Sequence, residues 1–218
     1  MSNKSLLSPF ENSGGYGRLE EIGIPVIECA DYMEESVLGR AEWMKFYGLL
    51  FGREREADSL FAVVEKNYQA LSEKANQSKV TRSVLPDRKV GPVWYLPGGE
   101  SSVGLLYKDA HGMYAYAKDK HSGSLSMPFE TVLDKFGQSD FWILSYRGDF
   151  NRAKLLAEFQ GYSMLKPCRT GEIYGCKVDS IPYFEEVSWR PDWLLSDLIQ
   201  LFHPDLHIAP MRYYHKLK

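Results

Sequence analysis

The chain has 218 residues, 44% of them apolar and 25% charged, with a formal net charge of −3. That is enough for one large domain or two small ones around a real core, and it carries no basic excess to draw nucleic acid. No apolar run is long enough to span a bilayer. Met1 to Phe10 lacks the basic head, apolar stretch and small-residue cleavage site of an export signal, so taken alone the sequence reads as cytoplasmic.

The first thirty residues read as a small strand–helix–strand piece. Leu6-Leu7 is an apolar stub, Pro9 to Gly17 a loop, Arg18 to Ile22 a short helix ended by Gly23, and Ile24 to Cys29 a strand interrupted by Pro25. Such a piece cannot cover both faces of a parallel sheet by itself. Gly39 to Phe51 predicts a well-buried helix. Arg53 to Ala75 predicts a longer one, with an apolar stripe through Leu60, Val64, Tyr68, Leu71 and Ala75. Asn76 to Arg88 is polar and reads as a linker.

Beyond it, strands alternate with helices. Strands are expected at Val90–Leu96, Asp140–Tyr146 and Ile173–Val178. Helices are expected at Ser101–Ala110, Ser126–Phe136 (capped by Ser126), Asn151–Phe159 and Pro191–Phe202. The last has Pro at its first position and stops at His203-Pro204. This alternation implies a mainly parallel sheet with helices on both faces.

No phosphate loop, nucleophile elbow, dinucleotide fingerprint or metalloprotease helix is present, and no cofactor is indicated. His203 and His207 have zinc-ligand spacing, but Pro204 lies between them. Cys168 and Cys176 flank a turn at Arg169-Thr170-Gly171 and either face each other across a hairpin or are two small buried residues. The 14 tyrosines and 5 tryptophans suit an aromatic pocket as well as a core. Open α/β sheets bind ligands beyond the carboxyl ends of their strands. Four loops there supply the candidate ligand contacts. They are Trp94, Tyr95, Gly98, Gly99, Ser101 and Ser102 from the first, with the glycines leading into a helix N-terminus that favours anions. The others are His121 from the second, Tyr146 and Arg147 from the third, and Tyr183 and Phe184 from the fourth.

Several segments in this order resemble one family. Leu7-Ser8-Pro9-Phe10 to Gly17, with Leu19 to Val26, is similar to the end of the first lobe of the ferric-siderophore and cobalamin solute-binding proteins of ABC importers. Gly39-Arg40-Ala41-Glu42-Trp43, with the helix through Asp58, resembles their interlobe helix. Val93 to Gly99 resembles the strand and loop that open their second lobe, and Phe129-Glu130 to Ser145 the next helix and strand. Trp189-Arg190-Pro191-Asp192 through His203-Pro204 resembles the closing segment.

The resemblance implies a bilobed receptor with limited closure. Residues 1–38 would be a remnant of the N-terminal lobe, 39–77 the helical connector, and 78–218 a Rossmann-like α/β lobe. It further implies an iron-chelate or corrinoid ligand, haem being equally suited to an aromatic cleft. The implied partner is an ABC permease of the inner membrane, contacted through Glu20 or Glu21 and Glu185 or Glu186, with a periplasmic, lipid-anchored location. With most of the first lobe absent, ligand binding by this chain alone is expected to be weak, and the exposed remnant would favour dimers. The competing expectations are a bare-metal receptor, a small α/β enzyme using His121 with Ser122 or Asp119, and a non-functional remnant.

Overall fold

A computed structural model describes residues 19, 21–27 and 29–218. The chain divides into two compact units, Met1–Met33 and Glu34–Lys218. In the first, Leu19 and Glu21 are helical and Gly23 turns the chain at φ +76°, with the Ile24 amide donating to the Leu19 carbonyl at 2.9 Å. The expected strand from Ile24 is not formed, since 24–27 and 29–30 are irregular. Pro25 removes a ladder donor there. The expectations for Leu6-Leu7, Pro9 to Gly17 and Glu20 lie outside the described residues.

The second unit opens with two antiparallel helices, α1 (Val37–Leu50) and α2 (Glu54–Ala75). The Ser36 hydroxyl caps α1 by accepting from the Gly39 amide at 3.2 Å. Gly48 sits where α1 meets α2; a Cβ there would lie 2.5 Å from that of Ala57. The buried stripe of α2 runs through Ala57, Phe61, Val64, Tyr68 and Ala75. Leu60, expected in that stripe, is 63% exposed and Phe61 replaces it. Tyr68 Oη and Ser72 Oγ donate to Asp109 at 2.7 Å each, and Asn67 Nδ2 donates to Asp192 at 3.2 Å. α2 is therefore tied to the α/β lobe by polar contacts as well as packing.

The lobe holds β1 (Val84–Pro86), β2 (Lys89–Val90), β3 (Val93–Pro97), α3 (Ser102–Asp109), β4 (Ser124–Met127), α4 (Phe129–Phe136), β5 (Phe141–Tyr146), α5 (Arg152–Glu158), α6 (Lys166–Thr170), β6 (Ile173–Lys177), α7 (Tyr183–Val187), α8 (Pro191–Phe202) and β7 (Tyr214–Lys216). The main sheet has order β1-β5-β6-β7. β1, β5 and β6 run parallel and β7 is antiparallel to β6. Helices flank this sheet, as the alternation of elements required. Asn151 caps α5 through the Lys154 amide at 2.9 Å, and α8 begins at Pro191 as expected.

Three local expectations are corrected, and one of the two readings of the cysteines is selected. The linker at 76–88 contains β1, an edge strand of only three residues, fully buried. The run Val90–Leu96 is not one strand of the main sheet. It folds into the hairpin β2–β3 around Gly91 (φ +58°) within a separate antiparallel sheet, β2-β3-β4. Ser126 does not cap a helix; it lies in β4 opposite Tyr95, and α4 starts after Pro128. Cys168 and Cys176 are free, one in α6 and the other in β6, not facing across a hairpin. His203 is 1% exposed, with Nδ1 at 2.7 Å from the Val80 carbonyl and Nε2 at 2.8 Å from that of Ala110. It joins the chain before β1 to the end of α3, and among the described residues no group of His, Cys, Asp and Glu could hold a metal ion.

Candidate functional site

The carboxyl ends of β1 and β5 open onto a groove. Its wider part, about 560 Å³, is lined by Asp87 and Arg88 after β1, Tyr95 and Pro97 of β3, Ser101–Val103 at the start of α3, Ser122–Ser124, and Leu144-Ser145 of β5. A narrower recess of about 210 Å³ shares Asp87, Val103, Leu144 and Ser145 with it. The recess continues past Tyr107, Cys176, Tyr183, Phe184 and Tyr214. This is where an open α/β sheet presents ligand contacts.

Asp87 lies at the junction, at φ +58°. A non-glycine residue there is uncommon, and Asp tolerates it better than most. The core holds it in place. Trp94 Nε1 donates to the Pro86 carbonyl at 2.9 Å, and Trp142 Nε1 to that of Asp87. The Asp87 amide donates to the Ile143 carbonyl at 2.8 Å, and the Lys89 amide to Tyr162 Oη at 3.1 Å. Trp94, Trp142 and Tyr162 pack on one another with ring centroids 5.0–5.8 Å apart. Asp87 is exposed to the groove by area, yet protein crowds its carboxyl on most sides. That crowding pushes its pKa up to about 6, with the neighbouring Arg88 charge opposing the rise. Arg88 itself lies over Phe150 at 4.7 Å and reaches Glu158 at 3.3 Å.

The serine-rich wall is built by close backbone packing. A Cβ on Gly98 would stand 2.2 Å from the His121 carbonyl oxygen, and one on Gly99 2.4 Å from that of Asp119. These glycines allow the 97–101 turn to lie against the 116–123 loop. The Gly98 amide donates to the Gly123 carbonyl at 2.8 Å and the Glu100 amide to that of His121 at 3.1 Å. Ser101 Oγ donates to the Gly98 carbonyl at 2.6 Å and accepts from the Gly104 amide at 3.1 Å, so it caps α3.

At the far wall, the Asp197 carboxylate accepts from the amides of Arg212, Tyr213 and Tyr214 at 2.7–3.0 Å. This fixes the start of β7 and with it Tyr214. Burial raises the phenols of Tyr107, Tyr183 and Tyr214 above their ordinary range and pushes the Cys176 thiol up to about 12, so all four are neutral at pH 7.

Of the residues singled out from the sequence, Tyr95, Ser101, Ser102, Tyr183 and Phe184 line this groove. Trp94 is fully buried behind it, and Gly98 and Gly99 shape its wall. His121 is exposed beside the lining residue Ser122, its Nδ1 3.0 Å from Asp119 Oδ1. Tyr146 is not among the lining residues: its hydroxyl is 2.7 Å from His215 Nε2 and its ring stacks on Phe150. Arg147 is exposed beyond the end of β5. Glu21 and Glu185 are exposed. The Glu186 carboxylate is engaged by the Arg212 guanidinium at 2.6 and 2.8 Å and by Tyr213 Oη at 3.1 Å. Asp87, Arg88, Tyr107, Ser145 and Tyr214 were not anticipated. The signal available for Asp87 was the Leu-Pro-Asp step after a short apolar run.

No family model matches the chain. It is 26% identical over 196 residues to an uncharacterized lipoprotein of Methanocaldococcus jannaschii and 24% identical over 209 residues to a second from the same organism. The matches take in 86% and 92% of this chain but 44% and 52% of those proteins, so the chain spans about half the length of the curated relatives it matches. In structure it is similar to a periplasmic heme-binding protein from Pseudomonas aeruginosa, with TM-score 0.70 and 13% identity over 93% of this chain and 72% of that one. It is also similar to a protein of an ABC-type Fe3+-hydroxamate transport system from Saccharomonospora viridis, with TM-score 0.62 and 20% identity over 84% and 63%. The α/β fold is thus similar to that of a lobe of periplasmic solute-binding proteins.

Proposed function

We propose that residues 78–218 supply one lobe, 39–77 the helical connector and 1–38 part of the other lobe of the substrate-binding component of an ABC importer. It works outside the cytoplasmic membrane, captures a bulky chelate of the iron-siderophore, haem or corrinoid kind, and hands it to a permease. What carries this reading is the position of the groove. It lies at the carboxyl ends of β1 and β5 and is lined by hydroxyls and aromatic rings, as a partly apolar ligand with a polar rim requires. The lipoprotein relatives and the binding proteins of like fold support the same location and a non-enzymatic role.

In this reading Tyr95, Ser101, Ser102, Tyr183 and Phe184 touch the ligand, while Trp94, Gly98 and Gly99 shape the surface. His121 and Arg147 approach from the rim, and Tyr146 braces β5. Permease docking falls to Glu20 or Glu21 and to Glu185, whose charge is less offset than that of Glu186. One lobe offers half a cleft, so affinity is weaker than micromolar. The test is amide chemical-shift mapping of the 15N-labelled chain with a ferric trihydroxamate, hemin and cyanocobalamin. Perturbations clustered on residues 87–88, 101–103, 122–124 and 145 are expected with at least one of them; changes scattered over the surface, or confined to the opposite end of the sheet, would refute the proposal.

A further inference from the structure

The recess beside the main groove differs from it in chemistry. The wide part is rich in serine hydroxyls, whereas the recess is lined by four aromatic residues, Tyr107, Tyr183, Phe184 and Tyr214, together with Asp87. Tyr183 and Phe184 meet edge to face, with centroids 5.3 Å apart and planes at 89°. Among the residues lining the recess Asp87 is the one with an acidic side chain, and none is basic. The nearest cation in sequence, Arg88, is drawn off over Phe150 and toward Glu158.

Two features give the recess its character. Tyr107 is only 3% exposed, its ring held edge to face by Tyr114 and Phe202 with centroids 5.2 and 5.8 Å away. The Asp87 carboxyl is exposed to the groove, and the backbone on both sides of it is held firmly. An acid and several aromatic rings lining one recess suit an organic cation, because ring quadrupole and carboxylate attract the same charge.

We propose that the recess is a subsite for an alkylammonium group, so that the captured ligand carries a positively charged amine arm while its body lies in the wider groove. A hard metal ion is the less suited occupant: it calls for several oxygen ligands, and the recess offers one carboxylate beside phenols that burial holds neutral. The volume agrees, since about 210 Å³ accommodates a methylated or primary ammonium with a few methylenes and not a whole chelate. The inference rests on the proposed capture of a chelate for its context, and deepens it by naming the handle by which one chelate is preferred over another.

The experiment uses the 15N-labelled full chain with tetramethylammonium as probe and tert-butanol as its neutral counterpart. Saturable shifts at Asp87, Tyr107, Tyr183 and Tyr214 are expected with the cation and not the alcohol, weakened at least tenfold in Asp87→Asn. Asn accepts the same backbone conformation, so that variant keeps the fold. Absence of saturable shifts, or equal binding by the variant, overturns the proposal. A second arm compares a ferric trihydroxamate bearing a free ammonium tail with its N-acetylated form. Preference for the free amine by tenfold or more supports the subsite, whereas equal binding of both overturns it and leaves capture standing. If neither chelate binds while tetramethylammonium does, the capture reading falls and the cation subsite stands.

Discussion

Asp87 should cost the protein stability at neutral pH. Its carboxyl titrates at about 6 in the folded protein instead of the usual 3.8. A folded acid with a raised pKa binds its proton more tightly than the unfolded chain does. Stability is therefore greatest below pH 3.8 and declines as pH rises through 6, after which it is level. At 1.36 kcal/mol per pH unit the full difference would be roughly 3 kcal/mol. Asp87 faces the open groove, so solvent screening reduces this to about 1 kcal/mol. Asp87→Asn removes the charge and keeps the left-handed backbone. Urea unfolding at pH 4, 6 and 8 should show the variant equal to the parent at pH 4 and more stable by about 1 kcal/mol at pH 8, or about 2–4 °C in Tm for a chain of this size. A stabilising loss of a native side chain is what a residue kept for binding gives. A variant destabilised equally at all three pH values would show that the carboxylate is part of the scaffold and refute the reasoning.

Other substitutions probe the scaffold around the groove. Gly48→Ala puts a methyl 2.5 Å from the Ala57 Cβ and should cost about 1–3 kcal/mol by overpacking, measured by chemical denaturation. His203→Ala leaves the Ala110 carbonyl without its imidazole partner, while the Val80 carbonyl keeps Ser78 Oγ, and opens a cavity, so a loss of about 2–4 kcal/mol is expected. The Asp140 carboxyl is below its ordinary range: burial opposes this, but Lys166 and the Ser83 amide and hydroxyl outweigh it. Its contribution is present above pH 3.8 and is lost as pH falls through the lower folded value. Asp140→Ala should therefore cost about 1–2 kcal/mol at pH 7 and less at pH 3, measured by paired unfolding curves.

The parts of the fold legible in the sequence were those in which one local rule acts alone. Pro191 at the start of α8 and Asn151 before α5 mark their helices without tertiary help. β5 is visible because both faces are covered, making it a continuous apolar run. β1 was hidden because three residues carry no period, and its identity rests on pairing with Phe141–Ile143, far later in the chain. The hairpin at Gly91 was hidden because a left-handed glycine inside an apolar stretch does not interrupt hydropathy. The stripe on α2 was placed one residue off because Leu60 and Phe61 are both apolar, and only packing against α1 selects the phenylalanine. For the groove, aromatic loops were visible. Asp87 was not, because its meaning depends on Trp142 and Tyr162 arriving from other elements to hold it.

Core and site meet in this lobe at the segment 86–89. The indoles of Trp94 and Trp142 and the phenol of Tyr162 are core side chains, and each spends its polar group on the backbone beside the groove. Buried indole and phenol groups need such partners, and the 86–89 backbone needs them as much, because β1 ends there and its ladder stops. One set of hydrogen bonds satisfies both. The consequence is a carboxyl set in the groove before any ligand arrives, so less ordering is left for binding to supply. It follows that replacing Trp142 with 3-benzothienylalanine, which keeps the fused bicyclic ring and loses the N–H, should loosen Asp87 without emptying the core. Hydrogen exchange at the Asp87 and Lys89 amides should quicken more than tenfold while the α8 amides stay as protected as before. Uniform quickening across the lobe would mean instead that the indole contributes only to global stability, and that the groove is not organised through it.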